Sequence, residues 1–104
     1  MIKDEDDMEN ACCDYARQAG LAAVKLENVG MEGIPDRMFI REGGKTFFVE
    51  FKSPTKKGRL SAKQKFWLKF LGASGFVCDD FQSFKDIVEK ITPRVGRAKN
   101  ENMR

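Results

Sequence analysis

Residues 33–52 read GIPDRMFIREGGKTFFVEFK and hold two alternating apolar segments joined by a Gly-Gly pair at 43–44. Alternation over about four to eight residues is typical of half-buried strands, and Gly-Gly between two such runs favours a β-hairpin. The hairpin brings the start of its first strand beside the end of its second, so we expect Asp36, Glu50 and Lys52 to meet there. Because side chains two apart on a strand share a face, Glu50 and Lys52 project together.

Two carboxylates and an ammonium group at the end of a strand suit a divalent cation. Mg²⁺ takes carboxylate oxygens, waters and substrate phosphates, and it can polarise a phosphoryl oxygen and activate a water. Lys52 beside that water would orient it and offset charge on the phosphate. A surface salt bridge between Lys52 and Glu50 is the alternative. The upstream Gly-x-Pro-Asp favours the metal site, because Pro35 fixes the backbone just before Asp36.

The spacing of these motifs resembles that of the VRR-NUC domain, the virus-type replication-repair branch of the PD-(D/E)XK nuclease superfamily. The similarity rests on GIPD at 33–36, VEFK at 49–52, GRLS at 58–61 and Gln64, and it extends over about residues 5 to 91. It implies a single-domain α/β, restriction-endonuclease-like core with a mixed central sheet flanked by helices, in the order αβββαβα. It also implies a DNA endonuclease that uses Mg²⁺ or Mn²⁺.

The same resemblance implies which residues form the site. Asp36, Glu50 and the Phe51 carbonyl would bind the metal, and Lys52 would position or activate the water. VRR-NUC domains carry an acidic residue on the first helix that completes the metal site, and Glu9 matches it, with Glu5 as the alternative.

A first helix is predicted from a cap at Asp4 or Asp6 to about Ala19. Glu9 lies on or beside the apolar stripe of this helix, where a carboxylate is costly unless it is paired or bound to metal. A solvent-facing Glu9 in an acidic first turn is the other interpretation. The last helix is predicted from a cap at Ser83 to Ile91.

The second predicted helix begins at Ser61, and Gln64 three residues later completes a capping box. Capping alone would explain Gln64, whereas the resemblance implies that it places the metal-bound water or a phosphate. Both roles are possible, and we expect one geometry to exclude the other at a given moment. The spacing predicts a buried apolar face on this helix, with Trp67 in the core rather than stacked on a base. That face comprises Phe66, Trp67, Phe70 and Leu71.

Basic residues cluster around the proposed site. Residues 45–69 contain eight Lys or Arg against Glu50 alone, whereas residues 1–9 carry one Lys against five acidic residues. Such a cluster is typical of contact with a phosphate backbone, although a solvated surface is the alternative. The residues expected to bind nucleic acid are Lys25, Lys56, Lys57, Arg59 and Lys63.

Composition excludes several kinds of chemistry. The chain has no His and three Cys, so a His general base is absent, and the cysteines form neither a disulfide framework nor a zinc motif. No apolar run approaches the ~20 residues that span a bilayer. The acidic N-terminus is unlike a signal peptide, so we expect a cytoplasmic protein.

The 104 residues predict one domain over 1–93 and a basic, disordered tail over 94–104. Small stand-alone VRR-NUC proteins of viral type resemble symmetric dimers that act on branched DNA, which implies a phage or prophage origin, in a bacterial host cell, and a homodimer cutting four-way (Holliday) junctions. A monomeric flap or nicking nuclease is one alternative. The others are a non-catalytic nucleic-acid-binding module, which should have lost part of the acidic set, and an adaptor, which would not explain the basic cluster.

Overall fold

The computed structural model describes residues 2–27, 29–53 and 59–91 and places seven elements in the predicted order. A short 3₁₀ turn at Gly72–Ser74 follows the second helix. The elements are α1 (Glu5–Gln18), β1 (Leu21–Lys25), β2 (Arg37–Arg41), β3 (Thr46–Phe51), α2 (Ala62–Leu71), β4 (Gly75–Cys78) and α3 (Phe81–Ile91). The predicted fold class and element order are thereby confirmed.

The predicted hairpin forms the centre of a four-stranded sheet in the order β1-β2-β3-β4. The β1–β2 and β2–β3 pairs are antiparallel, and Arg37 lies opposite Val49. The β3–β4 pair is parallel, with Glu50 opposite Val77. A parallel pair requires a crossover connection, and α2 lies within it. The sheet is therefore mixed, as predicted.

One face of the sheet carries the hydrophobic core. Strand alternation sends every second side chain of β2 and β3 to this face, where α1 and α3 cover them. Phe39 and Phe47 stack with their ring centroids 5.2 Å apart, and Phe84 of α3 packs on both. All three cysteines are buried and free, and burial raises the pKa of Cys78 to about 12. They are therefore packing groups without disulfide or nucleophilic character.

Side-chain caps set the start of each helix. Asp4 caps α1 by accepting from the Asp7 amide at 2.8 Å, one of the two caps predicted. The predicted cap of α3 was wrong, because the helix starts at Phe81 and Ser83 lies inside it. The Asp80 carboxylate accepts instead from the Ser83 amide at 2.7 Å and from its hydroxyl at 3.0 Å. A carboxylate there also interacts favourably with the helix dipole.

The other face of the sheet is covered only in part, by α2. Leu68 and Leu71 of this helix lie over Gly75 of the edge strand β4. No residue of α2 is buried, and Phe66 and Phe70 are 60% and 72% exposed. The prediction of a buried aromatic face was therefore wrong for these two residues, because the helix rests on the sheet edge through its leucines.

Trp67, also predicted in the core, is half-buried, and its indole N–H donates to the Glu32 carbonyl at 3.2 Å. The predicted tail at 94–104 and two of the residues predicted to bind nucleic acid, Lys56 and Lys57, lie outside the described residues. Within the described segments, every helix is too short or too polar to cross a lipid bilayer.

Candidate active site

Three carboxylates converge at the end of the sheet where the two hairpin strands meet. Glu5 comes from α1, Asp36 immediately precedes β2, and Glu50 lies near the end of β3. One oxygen from each lies within 4.8 Å of the others. Hard oxygen donors at this spacing match the ligands that Mg²⁺ and Mn²⁺ take in proteins. The donor set therefore fits a divalent cation.

Asp36 is held in place by the hairpin itself. Its Oδ2 accepts from the backbone N–H of Phe51 at 2.8 Å, which links the start of one strand to the end of the other. Pro35 is buried beside it. Burial raises the pKa of Asp36, and the Phe51 hydrogen bond partly offsets that rise. The aspartate is thus preorganised, and a cation would favour its charged form.

Glu50 is the only charged side chain in the described residues that is fully buried, with 4% exposed. Burial, followed by the neighbouring charge of Asp36, raises the pKa of Glu50 to about 7. The ammonium of Lys52 lies 3.7 Å from Glu50 Oε2 and opposes the rise. Both side chains project to the same face of the sheet, as the Glu-x-Lys spacing predicts. Glu50 is thus a buried carboxylate whose neighbouring ammonium, that of Lys52, is at the long end of ion-pair distances. A divalent cation would stabilise the charge of Glu50 more strongly.

Gln64 connects α2 to this cluster and performs two roles at once. Its side-chain Oε1 accepts from the backbone N–H of Ser61 at 2.8 Å, and the Ser61 hydroxyl accepts from the backbone N–H of Gln64 at 3.1 Å. These two hydrogen bonds confirm the capping box. Its Nε2 donates to Glu50 Oε2 at 2.9 Å. The two ends of the side-chain amide thus serve different partners, and the role in placing a metal-bound water or a phosphate stays a prediction.

Gly33 sets the distance between the Pro-Asp loop and the first turn of α2. It has φ of +85°, and a Cβ built on it would lie 2.6 Å from Lys63 C and Cβ and 2.9 Å from Gln64 N. Only glycine combines this backbone conformation with so close a contact. The loop that carries Asp36 is thereby seated on the helix that carries Gln64.

Glu9 is not one of the three carboxylates whose oxygens lie within 4.8 Å of one another, but it lines the adjoining cavity with Glu5 and Asp36, and its charge helps to raise the pKa of Asp36. Its Oε2 accepts from Arg37 Nε at 2.6 Å, and both side chains are largely buried. Glu5, the alternative residue, lies one turn earlier on the same side of α1, and one of its oxygens is within 4.8 Å of those of Asp36 and Glu50. Glu9 instead anchors the residue that follows Asp36.

Sequence reasoning missed Arg37, although the signal was available. Strand alternation from the buried Phe39 puts Arg37 on the face where α1 packs, so an acidic partner on α1 was to be expected. Arg37 thus explains how Glu9 is accommodated near the core.

Three of the residues predicted to bind nucleic acid are described, and each has different neighbours. Lys25 lines a cavity of about 250 Å³ next to the cluster and pairs with Glu27 at 3.1 Å. Lys63 pairs with Glu32 on the surface. Arg59 is exposed, and its carbonyl oxygen lies 3.5 Å from the Lys52 ammonium that donates to it. Of these cations, Lys25 on β1 borders the cavity next to the cluster, whereas Arg59 and Lys63 lie just before and within α2, the helix that carries Gln64. The carboxylates lining that cavity are Glu5, Asp6, Glu9, Glu27 and Asp36.

Comparisons with known proteins identify the family and agree with the fold. The VRR-NUC domain family matches residues 3–82. A solved structure described as a VRR_NUC domain superimposes with a TM-score of 0.65 at 24% identity, over 82% of this chain and 94% of that chain. At that identity the likeness supports the fold. No curated protein sequence matches the chain.

Proposed function

The chain belongs to the VRR-NUC domain family, nucleases of the PD-(D/E)XK type, and on that premise we propose a metal-dependent endonuclease that cuts branched DNA as a homodimer. The observation that carries the proposal is the convergence of Glu5, Asp36 and Glu50 within 4.8 Å, with the Lys52 ammonium 3.7 Å from Glu50. A three-carboxylate cluster with an adjacent ammonium group is suited to phosphodiester hydrolysis.

The residues have distinct tasks in this proposal. Asp36, Glu50 and Glu5 would hold Mg²⁺ or Mn²⁺, together with the Phe51 carbonyl that the family resemblance implies. When bound, the cation would polarise a phosphoryl oxygen and lower the pKa of a water. Lys52 orients the attacking water and stabilises the negative charge that grows on the phosphate.

Gln64 contributes by fixing one oxygen of Glu50 through its 2.9 Å hydrogen bond, so that the other oxygen is directed to the cation. Glu9 acts indirectly, because its ion pair holds Arg37, the residue that follows Asp36. Both are positioning residues. Preorganisation of this kind is what a metal-binding carboxylate requires for precise geometry.

Contact with DNA would come from the cations around the cluster, which bind phosphates irrespective of sequence. Lys25, Arg59 and Lys63 are the described members of this set, and Lys56 and Lys57 complete it in the proposal. Lys63 would exchange Glu32 for a phosphate. A junction presents two symmetric backbones, and a two-fold dimer presents two sites, which favours paired cuts.

Two alternatives remain distinguishable by experiment. A monomeric flap or nicking nuclease would use the same carboxylates and leave unpaired cuts. A non-catalytic nucleic-acid-binding module would keep the basic residues and bind without hydrolysis. The intact set of Asp36, Glu50 and Lys52 favours an active enzyme.

The test is cleavage of a synthetic four-way junction, a flap and a plain duplex, each with EDTA, Mg²⁺ or Mn²⁺. We expect symmetric cuts in the junction that require the metal. Asp36→Asn keeps an acceptor for the Phe51 amide but removes the charge, and it should lower the rate by at least about 100-fold, the size of effect expected when one preorganised group is removed from an active site. Glu42→Gln, an exposed change in the hairpin turn, is the matched control. Cleavage by Asp36→Asn at the wild-type rate would remove the metal-ligand role.

A further inference from the structure

Two large aromatic side chains stand exposed on the outer side of α2. Phe66 and Phe70, named here the aromatic ridge, are stacked with centroids 6.1 Å apart and ring planes 16° from parallel. The Trp67 ring meets both edge-on, at 5.6 and 5.7 Å. Single exposed hydrophobic residues are ordinary, whereas two stacked rings form one continuous apolar patch, which makes this face a candidate interaction surface.

The aromatic ridge faces away from the carboxylate cluster. Gln64 contacts Glu50, and Phe66 comes two residues later on the same helix. At about 100° per residue, two residues place the side chains about 160° apart around the helix axis. DNA held at the cluster would have to pass around α2 to touch the ridge. A base stacked on the ridge would therefore lie on the far side of α2 from the carboxylates.

Helix α2 is weakly supported within one copy of the chain. It has ten residues, none of them buried, and its described contacts with the sheet run mainly to the edge strand β4. An isolated helix of this length is marginal in water. A helix that is apolar on two sides is typical of one packed between two bodies. One body is this chain's own sheet edge, reached through Leu68 and Leu71.

A second copy of the chain would present the same two rings to this face. If two α2 helices pack antiparallel about a two-fold axis, Phe66 of each lies against Phe70 of the other. With about 200 Å² of surface for each Phe, the two exposed rings present about 260 Å² per copy. Both copies together bury about 500 Å², over half of the roughly 900 Å² of non-polar surface in a standard interface.

We propose that the aromatic ridge, Phe66 and Phe70 of α2, is the surface through which two copies of this chain pair. The inference rests on the homodimer of the proposed function and identifies its interface. It has a consequence for catalysis, because α2 also carries Gln64. The contact would fix both Gln64 side chains, about 12 Å apart along the helix pair, each on its own Glu50.

The charges beside the ridge distinguish a second copy from nucleic acid. Lys63, Lys65 and Lys69 flank the two rings, and α2 has no acidic residue. Two copies bring these like charges together at the rim, so added salt should screen the repulsion and strengthen pairing. Nucleic acid on the same face would bind more weakly as salt rises.

The experiment is sedimentation velocity of the full chain over a range of concentration and salt. We expect a dimer, strengthened by salt, whose dissociation constant rises about 30-fold or more in Phe66→Ser/Phe70→Ser. Val29→Ser removes an exposed apolar side chain outside α2 and should leave pairing unchanged. A wild-type monomer throughout the range, or undiminished pairing of the double variant, would overturn the proposal.

A cross-linking measurement covers the case in which the double variant fails to fold, as judged by circular dichroism. The native cysteines are buried, so F66C and F70C introduce the reactive thiols. Mixed together under oxidising conditions, the two variants should form a heterodimeric disulfide faster than either alone. Equal rates would contradict the antiparallel contact. Retained pairing with lost DNA affinity in the double variant would assign the ridge to nucleic acid.

Failure of this proposal can be told apart from failure of the proposed function. A chain that cleaves DNA with metal, requires Asp36 and sediments as a monomer keeps the nuclease assignment and loses the interface. A dimer through α2 that takes up no Mn²⁺ and cuts no DNA keeps the interface and loses the assignment.

Discussion

The two faces of the sheet are built on different principles. On one face, α1 and α3 enclose a core of fully buried aromatic and aliphatic side chains. On the other, α2 covers mainly one edge strand, contributes no buried residue and leaves Phe66 and Phe70 exposed, yet it holds Glu50 through Gln64. The first face supplies the stability of the fold. The second carries Glu50 and Gln64 of the proposed site, and it is packed incompletely because α2 lies mainly over the edge strand.

The largest expected effect tests this contrast with two phenylalanines. Phe39 is fully buried and contacts several other rings, whereas Phe70 is 72% exposed. Phe39→Ala should lower the free energy of unfolding by about 3–5 kcal/mol, because it leaves a cavity in the core. Phe70→Ala should change it by less than about 0.5 kcal/mol at concentrations where the chain is monomeric. Urea denaturation followed by circular dichroism measures both, and equal losses would contradict the division between the faces.

The next effect separates activity from stability at Glu50. Glu50→Gln keeps an acceptor for Gln64 but removes the buried charge, so junction cleavage and Mn²⁺ binding by calorimetry should both fall by at least about 100-fold. Thermal unfolding at neutral pH should show the variant at least as stable as the wild type. Loss of activity together with a large loss of stability would mean that Glu50 supports the fold instead.

The pH dependence of stability provides the control for this variant. In the folded chain the pKa of Glu50 is raised from 4.5 to about 7, so the folded state binds more protons than the unfolded state between these values. Stability without metal should therefore fall as pH rises through that window, by about 1–3 kcal/mol. Glu50→Gln should flatten this part of the profile. Adding Mg²⁺ should restore stability at the upper end, since the cation binds the ionised carboxylate.

The smallest expected effect concerns the contact between the Pro-Asp loop and α2. Gly33→Ala puts a methyl group 2.6 Å from Lys63 backbone and side-chain carbons and adds a β-carbon at φ of +85°. We expect a loss of about 1–2 kcal/mol in stability, with a fall in catalytic rate because Gln64 moves with the first turn. Gly30→Ala, at φ of +79° with open space around its Cβ, is the matched control. If the two variants lost activity equally, backbone strain alone would explain Gly33.

Much of the candidate site follows from patterns local to the chain. Alternation across the hairpin placed Asp36 beside the end of β3, and the two-residue period placed Glu50 and Lys52 on one face. The Ser-x-x-Gln spacing predicted the cap of α2. These predictions hold because backbone geometry fixes the relation between residues a few positions apart.

Tertiary packing decided what those patterns left open. Glu5 and Glu9 lie on the same side of α1, about 6 Å apart along its axis, so only the position of the helix along the sheet determines which one reaches the cluster. Arg37 then binds the other. Likewise α2 is apolar on two sides. The edge of the sheet packs against its leucines, and Phe66 and Phe70 of the aromatic ridge stay exposed. The sequence by itself determined the hairpin, the caps and the pairing of Glu50 with Lys52, because these depend on short-range periodicity. The choice of the third carboxylate and the exposure of the ridge depended on how whole elements dock, which the periodicity of one element does not specify.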